Sequence, residues 1–305
     1  MENILISGTG AMACLFAARL SAAGFPVTIL GHWMEGLEAL RRDGVVLIEA
    51  DGHEQAYPVQ VASRPGDCTG ARSALVLVKS WQTERAANQL AECLAPNGLA
   101  LTLQNGLGNY EILAQVLGAG RAALGVTTVG ANLRAPGQVR AGGSGTITLG
   151  AHPRITRLAE LLLAAGFTVE SAPDPTALLW GKLVINAAIN PATALLEMTN
   201  GELLRREPAH ALLAATAREA AEVAAALSIR LPYPDPVQAA ETTARRTAAN
   251  RSSMLQDVQR GAPTEIDAIC GAIVRAGERV GLAAPINRTL WQLVKAKALS
   301  FPSVD

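Results

Sequence analysis

The chain has 305 residues, 26 acidic and 26 basic, so its formal net charge is zero and it carries no broad field for nucleic acid or an anionic membrane. Its length suggests two domains, and Cys14, Cys68, Cys93 and Cys270 are scattered with no CxxC pair, which argues against a disulfide framework or a metal site. No stretch approaches a membrane span, and the first apolar run stops at Gly8 as a strand would, not a signal peptide, so a cytoplasmic protein is expected.

Residues 3–7 read as a short strand that enters Gly8-Thr9-Gly10-Ala11-Met12-Ala13 and then an apolar helix. A dinucleotide site needs this order. Gly8 permits the turn, Gly10 lets the backbone approach a pyrophosphate, and Ala13 is small enough for helix to pack on strand. The helix N-terminus adds unpaired N–H groups and a partial positive charge. Residues 26–30 form a second strand, followed by Gly31-His32-Trp33 where NAD-preferring sites place a carboxylate. No carboxylate stands there to repel a 2′-phosphate, and His32 can gain charge beside one, so NADP is favoured with NAD not excluded. Glu35 lies close enough to weigh against this, and Arg41 and Arg42 read as a solvated face.

Residues 34–42 then read as a helix, and 45–48 with 57–61 as a hairpin around Asp51-Gly52. Residues 75–78 are a buried strand, 81–94 a helix and 99–103 a strand ending at Gln104-Asn105-Gly106. Residues 122–129, 137–141 and 146–149 suggest late strands of a mixed sheet, with a helix at 155–165 and a last strand at 167–171. From Pro173 onward nearly everything has helical period. The reading is an α/β N-terminal Rossmann-type dinucleotide-binding domain over residues 1–172, followed by an all-helical C-terminal domain over 173–305. Lys79 and Asn105 each follow a strand at the end of the sheet where ligands bind, which marks both as cleft residues.

The helical half opens on the most informative stretch. Lys182, Asn186 and Asn190 recur every fourth residue in an otherwise apolar helix, so they rise along one face. A cation and two amides among Leu183, Val184, Ala187 and Ile189 are costly unless they bind something or each other. Further on lie Asn250, Ser252, Ser253 and Glu265. Either serine reads equally as a helix cap, and Glu265, two residues after Pro263, as a first-turn carboxylate.

In this order and spacing, Gly8-Thr-Gly10-Ala-Met, Lys79-Ser-Trp-Gln, Gln104-Asn-Gly106, the segment from Trp180 through Lys182, Asn186 and Asn190, Asn200-Gly-Glu-Leu203, Ser252-Ser-Met-Leu-Gln-Asp257 and Thr264-Glu265-Ile-Asp267 resemble the ketopantoate reductase (2-dehydropantoate 2-reductase) family over the whole chain. The resemblance implies NADPH-dependent reduction of a small 2-keto acid, giving (R)-pantoate on the way to pantothenate and coenzyme A. It implies Lys182 as general acid and Glu265 as its positioning partner. Asn105, Asn186, Asn190, Asn250 and Ser253 match substrate or ternary-complex positions, and Gly8, Thr9, Gly10, Ala11, Met12, His32, Lys79 and Asn105 the cofactor side. The family often has Arg where His32 stands. The same groups would serve another branched or aromatic 2-keto acid, and a non-catalytic NAD(P)-binding regulator is the reading from a different class. No metal is implied, and a homodimer through the helical domain is left open.

Overall fold

A computed structural model of the chain describes residues 3–143 and 145–299. The chain forms two compact units, one comprising the chain up to Gln104 with Asn109–Pro175, the other Asn105–Gly108 with the chain from Thr176 onward.

The first unit contains, in order, β1 (Ile4–Ser7), α1 (Ala11–Ala22), β2 (Val27–Leu30), α2 (Met34–Asp43), β3 (Val45–Ile48), β4 (Glu54–Tyr57), β5 (Gln60–Ala62), β6 (Ala71–Val76), α3 (Thr83–Cys93), β7 (Leu94–Thr102), α4 (Asn109–Leu117), β8 (Ala122–Thr127), β9 (Ala131–Ala135), β10 (Gln138–Ala141), β11 (Thr146–Gly150), α5 (Thr156–Ala164) and β12 (Thr168–Ala172). Eight strands make one sheet in the order β12-β11-β8-β7-β6-β1-β2-β5. All neighbours from β5 to β8 are parallel, whereas β11 runs antiparallel to β8. Every residue of β1 and β2 is buried, as central parallel strands covered on both faces must be. The chain passes from β1 to β2 on one side and returns through β6 on the other, so the strand order reverses at β1 and opens a crevice at the strands' carboxyl ends.

A second sheet, β4-β3-β10-β9, packs on the other side of α1. That placement explains why α1 has almost no polar face: Ala13, Cys14, Leu15, Phe16, Ala17, Ala18 and Leu20 are all buried. Phe16 also stacks on Phe167, ring centroids 4.4 Å apart.

The second sheet corrects two expectations. The hairpin between β3 and β4 is present, with Val45 opposite Tyr57, but its second strand ends there and does not run to Val61. Pro58 has no N–H to continue the ladder, and beyond it β5 joins the large sheet parallel to β2. Residues 138–141 likewise leave the main sheet to pair with β3, and β9, which has no clear alternation, completes that sheet. The helix expected from Trp81 begins with a 3₁₀ turn, Ser80–Gln82, and is α-helical only from Thr83.

The second unit is helical: α6 (Thr176–Leu196), α7 (Glu207–Ala226), α8 (Pro236–Arg246), α9 (Ser253–Gln259), α10 (Cys270–Arg279) and α11 (Pro285–Leu299). No described helix is long and apolar enough to cross a membrane. α6 runs through the core and packs on α7, α8, α9 and α11. Small residues on α7 (Ala209, Ala217, Ala220, Ala224) allow that close approach. A buried carboxylate fixes the last helix: Glu219 on α7 accepts from the backbone N–H of Ile286 at 2.9 Å and of Asn287 at 2.7 Å, and from Asn287 Nδ2 at 2.8 Å. These are first-turn donors of α11, which no intrahelical carbonyl can satisfy. Glu219→Ala should therefore lower the urea midpoint and remove about 2–3 kcal/mol of stability; an unchanged midpoint would contradict the capping role.

Candidate active site

The glycine loop after β1 is shaped for close backbone approach. Gly8 has φ +127°, and a Cβ there would lie 3.0 Å from the Leu77 carbonyl oxygen. Gly10 is the N-cap of α1 and brings no side chain to its first turn, so an incoming pyrophosphate can meet the helix N-terminus. Thr9 is buried, while Ala11 and Met12 are half-buried. Thr9 packs so tightly against Gly31 that a Cβ at Gly31 would fall 2.4 Å from its Cγ2. These residues fit a dinucleotide cradle at the reversal point of the sheet.

Around that cradle, Lys79 is half-buried at the end of β6, its backbone N–H donating to Gln82 Oε1 at 3.3 Å. Gln104, nearly inaccessible at the end of β7, ties the rim together. Its Nε2 donates to the Val78 carbonyl at 2.9 Å and to Thr83 Oγ1 at 2.8 Å, while its Oε1 accepts from Thr102 Oγ1 at 2.9 Å. In the sequence Gln104 stands out only as a neighbour of Asn105, a polar residue just past an apolar strand.

His32 is exposed at the end of β2 and does not stand alone. Arg85 Nη2 lies 2.6 Å from its Nδ1 and 2.8 Å from its Nε2, and Gln82 Nε2 lies 3.4 Å from Nε2. Partial burial and then the neighbouring guanidinium hold the imidazole below its ordinary pKa, so the permanent cation here is Arg85. Sequence reading missed Arg85, since it lies on α3 in an ordinary polar stretch. Arg42 pairs with Asp43 at 2.7 Å on the solvated face of α2.

The helical unit assembles the other candidates. Lys182, Asn186 and Asn190 share one continuous helix, the first two half-buried and Asn190 buried. Gly181 beside the lysine lets the 231–236 loop approach closely, since a Cβ there would meet Pro232 Cδ at 2.7 Å, and its carbonyl accepts from Tyr233 Oη at 2.8 Å. Burial pulls the Lys182 ammonium down from 10.5 to about 8, and the charge of Glu265 opposes that fall. Asn105 Nδ2 donates to Glu265 Oε2 at 3.3 Å. Asn105 thus belongs with the helical unit, drawn there by Gly106 (φ +82°), whose Cα hydrogens face the Ala268 carbonyl where a Cβ would come within 2.5 Å, and by the Leu107 N–H to Ala268 O bond of 3.0 Å.

Glu265 is buried in the turn ahead of α10, which starts only at Cys270, so it is not a first-turn capping carboxylate of that helix. Its turn is held by the neighbouring Asp267, which accepts from Trp291 Nε1 at 2.7 Å and Lys295 Nζ at 3.1 Å. Of the two serines, Ser252 is the cap of α9: its Oγ accepts from Leu255 N at 3.1 Å and from Thr193 Oγ1 on α6 at 2.7 Å. Ser253, the first residue of α9, is exposed, as is Asn250, whose carbonyl accepts from Asn200 N at 3.0 Å. The structure brings together Lys182, Glu265 and Asn105, with the two α6 amides along one face. Gly8, Thr9, Gly10, Ala11, Met12, His32 and Lys79 lie in the first unit.

Residues 4–154 match the family described as "Ketopantoate reductase PanE/ApbA", and residues 175–298 match "Ketopantoate reductase PanE/ApbA C terminal". The 2-dehydropantoate 2-reductase of Archaeoglobus fulgidus is 37% identical over 305 residues, covering 97% of this chain and 97% of the relative. The PanE/ApbA family ketopantoate reductase of Ralstonia eutropha JMP134 superposes with a TM-score of 0.91 at 32% identity, over 98% of this chain and 99% of that one. D-mandelate dehydrogenase in its ternary structure with NADH and anilino(oxo)acetate gives a TM-score of 0.92 at 27% identity, again over 98% of this chain and 99% of that one.

The polar rim in the first unit has a measurable cost of disruption. Gln104→Leu keeps the volume but leaves the Val78 carbonyl and the Thr83 and Thr102 hydroxyls without this partner. It should remove about 2–3 kcal/mol from urea unfolding and weaken dinucleotide binding by calorimetry; wild-type values for both would show that the network holds nothing in place.

Proposed function

The chain belongs to the ketopantoate reductase family, and from that membership we propose that it reduces 2-dehydropantoate to (R)-pantoate with NADPH, a step toward pantothenate and coenzyme A. It is an oxidoreductase acting on CH–OH groups. When bound, the nicotinamide supplies the hydride that reaches the keto carbon. The residues of the chain must then stabilise negative charge growing on the keto oxygen, deliver a proton to it and hold the carboxylate end of the substrate.

The observation that carries this reading is Lys182 on an otherwise apolar helix with Glu265 beside it. An ammonium with a pKa near about 8 is still mostly protonated at neutral pH, yet gives up its proton more readily than an exposed lysine. In a site of reduced polarity, its charge also stabilises the developing alkoxide more strongly than it would in water. Glu265 favours the charged form of the lysine and sets its direction. Asn105, bonded to Glu265, and the amides of Asn186 and Asn190 orient substrate without adding charge, while Asn250 and Ser253 serve its carboxylate.

A second reading keeps the chemistry and changes the substrate. D-mandelate dehydrogenase, solved with NADH and anilino(oxo)acetate, has nearly the same fold over nearly the same length, which favours an aromatic 2-keto acid as the alternative. Steady-state oxidation of NADPH and NADH with ketopantoate and a panel of aromatic and branched 2-keto acids separates the two. Preference for ketopantoate supports the proposal; preference for an aromatic acid moves the chain to the alternative; cofactor binding without turnover of any acid removes both.

Two variants test the assigned roles. Lys182→Ala should lower kcat by about 10²–10⁴, and parental turnover would dismiss the general-acid assignment. Activity of the parent should fall as pH rises through about 8, because the lysine must be protonated to act. Glu265→Gln removes the charge that raises the lysine's pKa, so the alkaline limb of kcat/KM should move to lower pH. A limb that stays in place, or moves upward, would separate Glu265 from Lys182.

A further inference from the structure

We propose that Arg85, projecting from α3 onto His32 at the end of β2, is the residue that recognises the adenosine 2′-phosphate and so selects NADPH over NADH. This rests on the NADPH reading given above. The end of β2 is where dinucleotide domains of this topology meet the adenosine ribose, and the sheet order here puts Gly31 and His32 there, beside the Gly8–Gly10 loop. The guanidinium is already at that point, with Nη2 2.6 Å from His32 Nδ1.

Three observations favour a phosphate ligand over a structural role for this arginine. First, among the described residues Arg85 has no ion-pair partner: Glu84 beside it and Glu35 on α2 are both exposed, and neither pairs with it. Its charge is thus uncompensated within the first unit. Second, the contact it does make is with an imidazole and uses one nitrogen, Nη2. The rest of the planar fork keeps donors for a bidentate bond to a phosphate. Third, its position is defined. Arg85 lies in the first turn of α3, whose start is tied to the sheet by Thr83 and Gln104. This fixes the backbone of Arg85, and the contact with His32 aims its side chain.

His32 then has a different role from the one its place in the sequence suggested. Held on the neutral side, it accepts from the guanidinium and aims it, while Gln82 lies 3.4 Å from the same ring. Arg85 acts on the phosphate, and His32 is a positioning residue.

The test is equilibrium binding to the full-length protein by calorimetry, using 2′,5′-ADP, which carries the 2′-phosphate, and 5′-AMP, which lacks it. Wild type should bind 2′,5′-ADP more tightly. Arg85→Gln should weaken 2′,5′-ADP by about tenfold or more, leave 5′-AMP where it was, and lower the NADPH-to-NADH affinity ratio by a similar factor. Arg85→Lys, keeping the charge but not the fork, should fall between the two. Equal weakening of both fragments by Arg85→Gln would make Arg85 an adenine-stacking or structural residue, and no weakening of either would remove it from the site. A wild type without preference for 2′,5′-ADP would instead overturn the NADPH reading itself, and this inference with it.

Discussion

The helical unit is organised around one electrostatic tension. Lys182 brings a positive charge to a helix whose other faces are packed core, and burial alone would push it toward neutrality. A single buried carboxylate, Glu265, offsets that tendency without cancelling it, leaving an ammonium that titrates at about 8. Several neighbouring features hold that carboxylate. Asp267 secures its turn through Trp291 and Lys295, and the Asn105 amide donates to it. Gly106 lets the short segment carrying Asn105 approach Ala268 at backbone distance. On the other side, the Thr193–Ser252 hydrogen bond fixes α9 to the same helix that carries the lysine.

The first unit is built differently: backbone donors stand open at its glycine loop, and a guanidinium lies at the end of β2. Rigidity there comes from covering α1 on both sides and from close contacts at Gly8 and Gly31. Gln104 contributes by spending its amide on the neighbouring loops, so the ends of β6, β7 and α3 form one hydrogen-bonded rim. Polar side chains are concentrated at this rim, whereas β1 and β2 carry none with an exposed surface.

What sequence made legible was local. The strand–glycine–helix opening, the fourth-residue spacing of Lys182, Asn186 and Asn190, and the change to helical period near residue 173 each depend on neighbours within a turn or two, and each has its counterpart in the structure. What it hid was long-range pairing. Nothing in residues 138–141 says that they pair with a hairpin some 90 residues earlier, with 131–135 at the edge beyond them. Pro58 marked a break, but not that the following strand would join another sheet. The capping reading of Glu265 failed because α10 starts at Cys270, seven residues beyond Pro263. Arg85 was invisible for the same reason, since its meaning comes from a residue 53 positions away.

The detour of Asn105–Gly108 into the helical unit bears on how such an enzyme can be inherited and dissected. The chain changes units after Gln104, after Gly108 and after Pro175, so no single cut separates them cleanly. A fragment beginning at Thr176 would keep Lys182 and Glu265 but lose the amide that Asn105 gives to that carboxylate. Its partner fragment would retain the whole glycine loop and carry an orphaned four-residue excursion. The two halves are therefore not interchangeable modules: recombination at their apparent boundary would carry Lys182 and Glu265 into a new setting without one of their supports.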